Sequence, residues 1–188
     1  MSKRWTVGLV AAILSVCLIT LAQTGGGEMS DEAQATALWE RIQSEDYTAW
    51  EHETDAPAGF YEGNEPHGLI LRSYMNPTSF EAAQSMPGTF PEDSLIVKEN
   101  HLADGVQVNR EDEDRAVEGF EGNLESVTVM LKVPGYNPDA GDWFWAKYGT
   151  DGSIQAAGQV DGCIGCHTQV ADNDYVFDAQ VTAESAGQ

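Results

Sequence analysis

Cys163-Ile164-Gly165-Cys166-His167 is the stretch of this chain whose residue types and spacing specify a chemistry. C-x-x-C-H is the attachment sequence of a c-type haem. On a helical turn, thiols at i and i+3 fall on one side, in reach of two haem vinyl groups. The next residue, His167, offers an imidazole to the iron from that side. Two other readings of paired cysteines fit less well. A structural zinc site needs a second ligand pair, and the only other Cys is Cys17. A thioredoxin-like C-x-x-C follows an early strand of a βαβ unit, whereas this one lies near the C-terminus behind a Gly-rich stretch. The expectation is one covalent haem c, bound through Cys163 and Cys166, with His167 as proximal iron ligand.

Residues 1–28 read as a leader rather than as part of the fold. Lys3 and Arg4 precede an apolar run from Trp5 to Ala22, and Gly25-Gly26-Gly27 breaks it. This is the pattern of a secretory signal cleaved after Ala22. The run has 18 residues, so an uncleaved membrane anchor is the alternative. A lipoprotein reading of Cys17 is weaker, because Val16 stands where a small residue is expected. Export to the periplasm suits haem attachment, an oxidising-compartment chemistry. Cys17 leaves with the leader, so both remaining Cys serve the haem and no disulfide is available.

The remaining 160 residues suffice for one domain, 29–181, with a flexible tail at 182–188. The net charge is −22, from 9 Lys plus Arg against 31 Asp plus Glu. Nucleic acid and anionic membranes are therefore poor partners, and a cationic soluble electron-transfer partner is steered favourably. An acidic solvated surface suited to a salty habitat explains the charge more simply. The run Glu111-Asp112-Glu113-Asp114 likewise reads as a solvated loop rather than a metal site.

The haem motif must be positioned by the elements before it. Ser30 reads as an N-cap for a helix over 31–44, with Asp31 and Glu32 in its first turn and Leu38 and Ile42 on one face. Strands are expected over 68–75, ended by Asn76-Pro77, and over 95–99. A short helix is expected between them, over 78–85. Residues 126–133 alternate: Val127, Val129 and Leu131 face one way, and Thr128, Met130 and Lys132 the other. Residues 143–148 form an aromatic strand, Gly149-Thr150-Asp151-Gly152 a hairpin-like turn, and 154–159 the return strand. This is an α+β fold, mainly antiparallel sheet with flanking helices, not a helical cytochrome c. Only 21 residues follow His167, none of them Met or His.

Four segments in order resemble the cytochrome P-460 family and its relatives, the cytochromes c′-β. They are Pro66-His67-Gly68 with the strand to Asn76; Gly88 to Asn100; Val129 to Val133 through Gly141 to Tyr148; and Cys163 to His167 with Asp174-Tyr175-Val176-Phe177 behind it. The likeness covers about Leu38 to Ala179. It implies a mainly antiparallel sheet, a homodimer, and a haem held by two Cys and a proximal His with an open distal side. In cytochrome P-460 a Lys is also bonded to a haem meso carbon and the enzyme oxidises hydroxylamine. In cytochromes c′-β that bond is absent and the protein binds NO or CO.

Lys98 falls on the cross-linking Lys of the resemblance. It interrupts the apolar run Leu95-Ile96-Val97, and a nucleophilic amine must be neutral, which burial favours. An edge-strand Lys facing solvent beside Glu99 is the plainer reading. The family's distal Arg and acid match poorly. Leu71 stands at the Arg position and Arg72 is one residue off, on the opposite face of a strand. Val127 stands at the acid position, with Glu125 two residues earlier on the same face. Arg72 and Glu125 remain the catalytic candidates beside Lys98. His67 reads as fixing a turn, with approach to the distal face or proton shuttling as alternatives. His101 is a weaker candidate, and His52 reads as exposed. Met130 reads as packing rather than as a sixth ligand, Asp142 as a turn residue, and Trp143, Phe144, Trp145 and Tyr148 as core and pocket wall. Three functions follow: redox conversion of hydroxylamine or NO at an open distal site, NO or CO binding without catalysis, or simple electron transfer, which needs a sixth ligand.

Overall fold

The computed structural model describes residues 29–52, 59–63, 66–85, 88–103, 120 and 122–177. The expected leader 1–28, the acidic run 111–114, the expected tail 182–188 and the side chain of His52 lie outside the described residues.

Helix α1 spans Asp31–Ser44. Ser30 Oγ accepts from the Ala33 amide at 3.3 Å, Asp31 and Glu32 complement the positive end of the dipole, and Arg41 sits in the last turn. Ala35, Leu38 and Ile42 share one face and are buried. Seven strands follow among the described residues: β1 (Glu51–His52), β2 (Phe60–Glu62), β3 (Ile70–Met75), β4 (Leu95–His101), β5 (Leu124–Lys132), β6 (Trp143–Gly149) and β7 (Ile154–Gly158). Every pairing is antiparallel, in the order β1-β3-β4-β5-β6-β7, with β2 also pairing β3. Helix α2 (Pro77–Ala83) links β3 to β4, and α3 (Asp161–His167) follows β7. The α+β class dominated by antiparallel sheet is as expected.

Asn76-Pro77 marks the β3–α2 corner for a reason visible in its contacts. Asn76 Oδ1 caps α2 by accepting from Ser79 N at 2.9 Å, and Pro77 opens the helix where no amide partner is needed. Leu95 N, opening β4, donates to Ser79 Oγ at 2.6 Å. Strand β4 runs two residues past the expected end. Asn100 and His101 look like a stop in sequence, but here they are buried between β3 and β5 and paired with both. Strands β1 and β2 have two and three residues, too few to show a period.

Alternation gives the sheet two different faces. One packs on α1: Tyr74, Val97, Val129, Phe144 and Tyr148 meet Ala35, Leu38 and Ile42. Tyr148 also donates to the Ala35 carbonyl at 2.8 Å. Gly158 lets β7 approach this helix, since a Cβ there would stand 2.2 Å from the Asp31 carboxylate at a φ of +96°. The other face gathers Met75, Ile96, Met130, Trp143 and Trp145 with Phe90 and Val176, against Cys163 and Ile164 of α3. The aromatic segment 143–148 thus divides: Trp143 and Trp145 serve one face, Phe144 and Tyr148 the other.

Candidate haem site

Strand register sets two rows across the α3 face. Met75, Ile96, Met130 and Trp145 are cross-strand neighbours in one, and Ser73, Lys98, Thr128 and Lys147 in the next. A narrow cleft lies where both rows meet α3. Ile96, Met130, Trp145, Val176 and Phe177 make it apolar, while His67, Lys98 and Thr128 supply the polar part of its wall.

His167 is buried in this cleft. Its ring lies 4.6 Å from that of Trp145 and 5.0 Å from that of Phe177, centroid to centroid. Nδ1 donates to the Tyr175 carbonyl at 2.6 Å, which leaves the lone pair on Nε2. Burial, opposed by the Tyr175 bond and reinforced by the charge of Lys98, brings His167 down to about 4. It is therefore neutral near pH 7, the state a metal ligand needs. Cys163 and Cys166 are half-buried on the same short helix. Burial pushes the Cys163 thiol up, partly countered by Lys147, so it is protonated at rest.

The Tyr175 carbonyl is delivered by an unusual turn. Asp174 and Tyr175 both have positive φ, 52° and 64°. Such conformations cost non-glycine residues roughly 1–3 kcal/mol each and persist only where surrounding contacts impose them.

These residues fit a haem. The cleft brings thiol and imidazole donors against apolar walls, with a preset His tautomer. Trp145 adds a buried indole N–H that finds no acceptor among the described residues, a donor suited to an acidic cofactor group.

Of the other candidates, Lys98 reaches the cleft, half-buried, with Nζ 6.0 Å from the Tyr61 ring centroid. Arg72 does not. It lies on the α1 face, its guanidinium 5.3 Å from the Phe60 ring and 5.0 Å from the Tyr74 ring, because strand alternation turns it opposite to Ser73. Glu125 is exposed at the start of β5 and is absent from the cleft wall. Val127 is buried in the α1-side core. The buried acid nearest in sequence, Glu99, also faces α1, accepting from Tyr47 at 2.9 Å and Tyr74 at 3.1 Å. His101 joins it at 3.3 Å and stacks edge-on to Phe60, a structural role. Met130 packs in the wall, as expected.

Residue reasoning undervalued His67. It is not merely a turn residue: its ring stands 6.2 Å from that of His167, across the cleft. Its Nδ1 is 3.3 Å from Thr128 Oγ1. Burial, with the charges of Lys98 and His167, brings His67 down to about 3. The buried Tyr61–Ser73 hydroxyl pair lies beyond Lys98. Thr128 was legible in sequence, since it shares a face with Met130 in β5. Approach of His67 to the distal face was an alternative in the sequence, but its irregular chain offers no period to decide it.

A cofactor cleft formed by one face of an antiparallel sheet and a C-terminal C-x-x-C-H helix defines a sheet-based haem cytochrome. A sequence model of the family Cytochrome P460 matches residues 44–178 of the 188, and the chain belongs to that family. No curated protein matches the chain.

Proposed function

We propose that this chain is an exported mono-haem c-type cytochrome of the P-460 type. Cys163 and Cys166 would hold the haem as thioethers, and His167 would ligate its iron through Nε2. The distal side is left open for redox conversion of hydroxylamine or NO. The carrying observation is the placement of Lys98 on the cleft wall within the same pocket as His167 and Cys163. The haem supplies the electron-accepting iron, and the protein supplies binding, orientation and exclusion of water. The apolar wall keeps the site dry, which strengthens the few polar contacts left in it. His67, neutral and braced by Thr128, offers a hydrogen bond to a small nitrogenous ligand. Lys98 is poised at the haem edge for the covalent bond that cytochrome P-460 makes and cytochromes c′-β lack.

The absence of Arg72 and Glu125 from the cleft favours a second reading, reversible NO or CO binding without turnover. Simple electron transfer would require His67 to serve as sixth ligand. An optical spectrum separates these. A Lys98-bonded haem gives a displaced, broadened Soret band that reverts to an ordinary c-type band in Lys98→Ala. A sharp c-type spectrum identical in both removes the bond. A six-coordinate, low-spin spectrum points to electron transfer. Hydroxylamine-dependent reduction of an added acceptor tests catalysis, and turnover no greater than that of free haem would refute it. We further propose a homodimer, checked by light scattering of the purified protein.

A further inference from the structure

We infer that Lys132 and Asp174 are positioning residues for the proximal histidine. They clamp the turn that presents the Tyr175 carbonyl to His167 and so set the donor strength of the iron ligand. The inference rests on His167 being that ligand.

Lys132 closes β5 on the α3 face, and Asp174 lies seven residues beyond His167. Both are more than nine-tenths buried. Lys132 Nζ donates to both carboxylate oxygens of Asp174, at 2.7 and 2.6 Å, and sits 4.9 Å from the Trp143 ring centroid. The same carboxylate accepts from the Phe90 amide at 2.7 Å. The backbone carbonyl of Asp174 accepts from Trp143 Nε1 at 2.7 Å. Asp174 is therefore gripped at both ends by β5, β6 and the chain entering β4.

Asp174 tolerates the left-handed conformation held there, but the bulky Tyr175 does not favour it. Asp174 and Tyr175 are consecutive left-handed residues and neither is glycine. The ring of Tyr175 is wedged against Gly141, where a Cβ would stand 2.8 Å from it. Released from its carboxylate anchors, the turn would relax towards ordinary φ and carry the Tyr175 carbonyl away from His167. A buried charge pair is a costly way to gain stability alone. Aiming a carbonyl at a ligand's second nitrogen is a recognised use of outer contacts, because the bond orients the ring and raises its basicity.

The test uses the haem-loaded protein. The paired substitution Lys132→Met with Asp174→Leu removes the clamp without changing net charge, and Asp174→Asn is a milder variant if the pair fails to fold. Lys132→Arg is the conservative control. Resonance Raman of the ferrous protein reads the iron–histidine stretch, and spectroelectrochemistry reads the haem potential. The clamp predicts a lower stretching frequency and a higher potential in the paired variant and in Asp174→Asn, with wild-type values retained in Lys132→Arg. An unchanged stretch and potential in folded variants, with only a lower melting temperature, would overturn the clamp and leave His167 as ligand. Absence of any iron–histidine band in wild type, with normal haem loading of His167→Ala, would overturn the ligand assignment and the clamp with it.

Discussion

Lys98 and His67 reach one cleft from different kinds of backbone, and that difference governs how each should respond to mutation. Lys98 is fixed by cross-strand partners on both sides, Ser73 and Thr128. His67 hangs on a short irregular segment and is oriented by its contact with Thr128. His67→Leu should therefore remove a polar contact without disturbing the sheet. A single hydrogen bond to a bound ligand is worth about 1 kcal/mol, or roughly fivefold in a rate constant. Carbon monoxide dissociation from the ferrous protein should accelerate by about that factor, measured by ligand replacement in a stopped-flow instrument. Rates identical to wild type would place His67 outside the ligand's reach. The same contrast explains what was readable beforehand. C-x-x-C-H is a local signal, and Arg72 could be set on the opposite face from Leu71 by counting along one strand. The His67 position depends on a loop path that no period records.

At the scale of elements, β4 carries the largest burden. One side of it, through Ile96 and Lys98, walls the cleft, while the other, through Val97 and Glu99, enters the α1 core. Glu99 is buried there, and burial alone would raise its pKa. Hydrogen bonds from His101, Tyr47 and Tyr74 outweigh that and hold it below the ordinary carboxylate value. A carboxylate lowered on folding contributes its stability fully above its unfolded pKa of about 4.3. That contribution is lost as pH falls through the lower, folded value. Glu99→Gln should therefore cost about 1–3 kcal/mol at neutral pH and lose less further stability on acidification below about pH 4 than wild type does. Chemical denaturation at a series of pH values measures both. Parallel losses in the two proteins would show that other carboxylates govern acid unfolding. The polar stretch Glu99-Asn100-His101 resembles a strand end in sequence, because its partners come from Tyr47, Ser126 and Phe60, far away along the chain. Long-range partners of this kind, like the sheet order itself, leave no local trace.

For the whole molecule, charge and topology are the relevant properties. A net charge of −22 should speed encounter with cationic redox partners and slow it with anionic ones. Reduction by a small cationic donor should slow as ionic strength rises from about 0.01 to 0.15 M, where the screening length shrinks from ~30 to ~8 Å. The rate with a neutral donor should stay flat. Salt-independent rates with the cationic donor would place the electron entry point away from the acidic surface. The composition announced this field from the outset, and a mainly antiparallel α+β domain followed from strand periods and turn residues. The division of labour between the two sheet faces required the register.

That division has a consequence for how the protein matures. The α1 face is completed by residues 31–158, whereas the opposite face is completed by α3 and the turn after it, the last elements described. A chain emerging from its amino end can assemble a half-finished body, sealed on one side, before the attachment cysteines arrive. The other side then shows Met75, Ile96, Met130, Trp143 and Trp145 to water. A chain stopped before Cys163 should accordingly bind an apolar dye strongly and self-associate, and restoring α3 and the turn after it should abolish both behaviours.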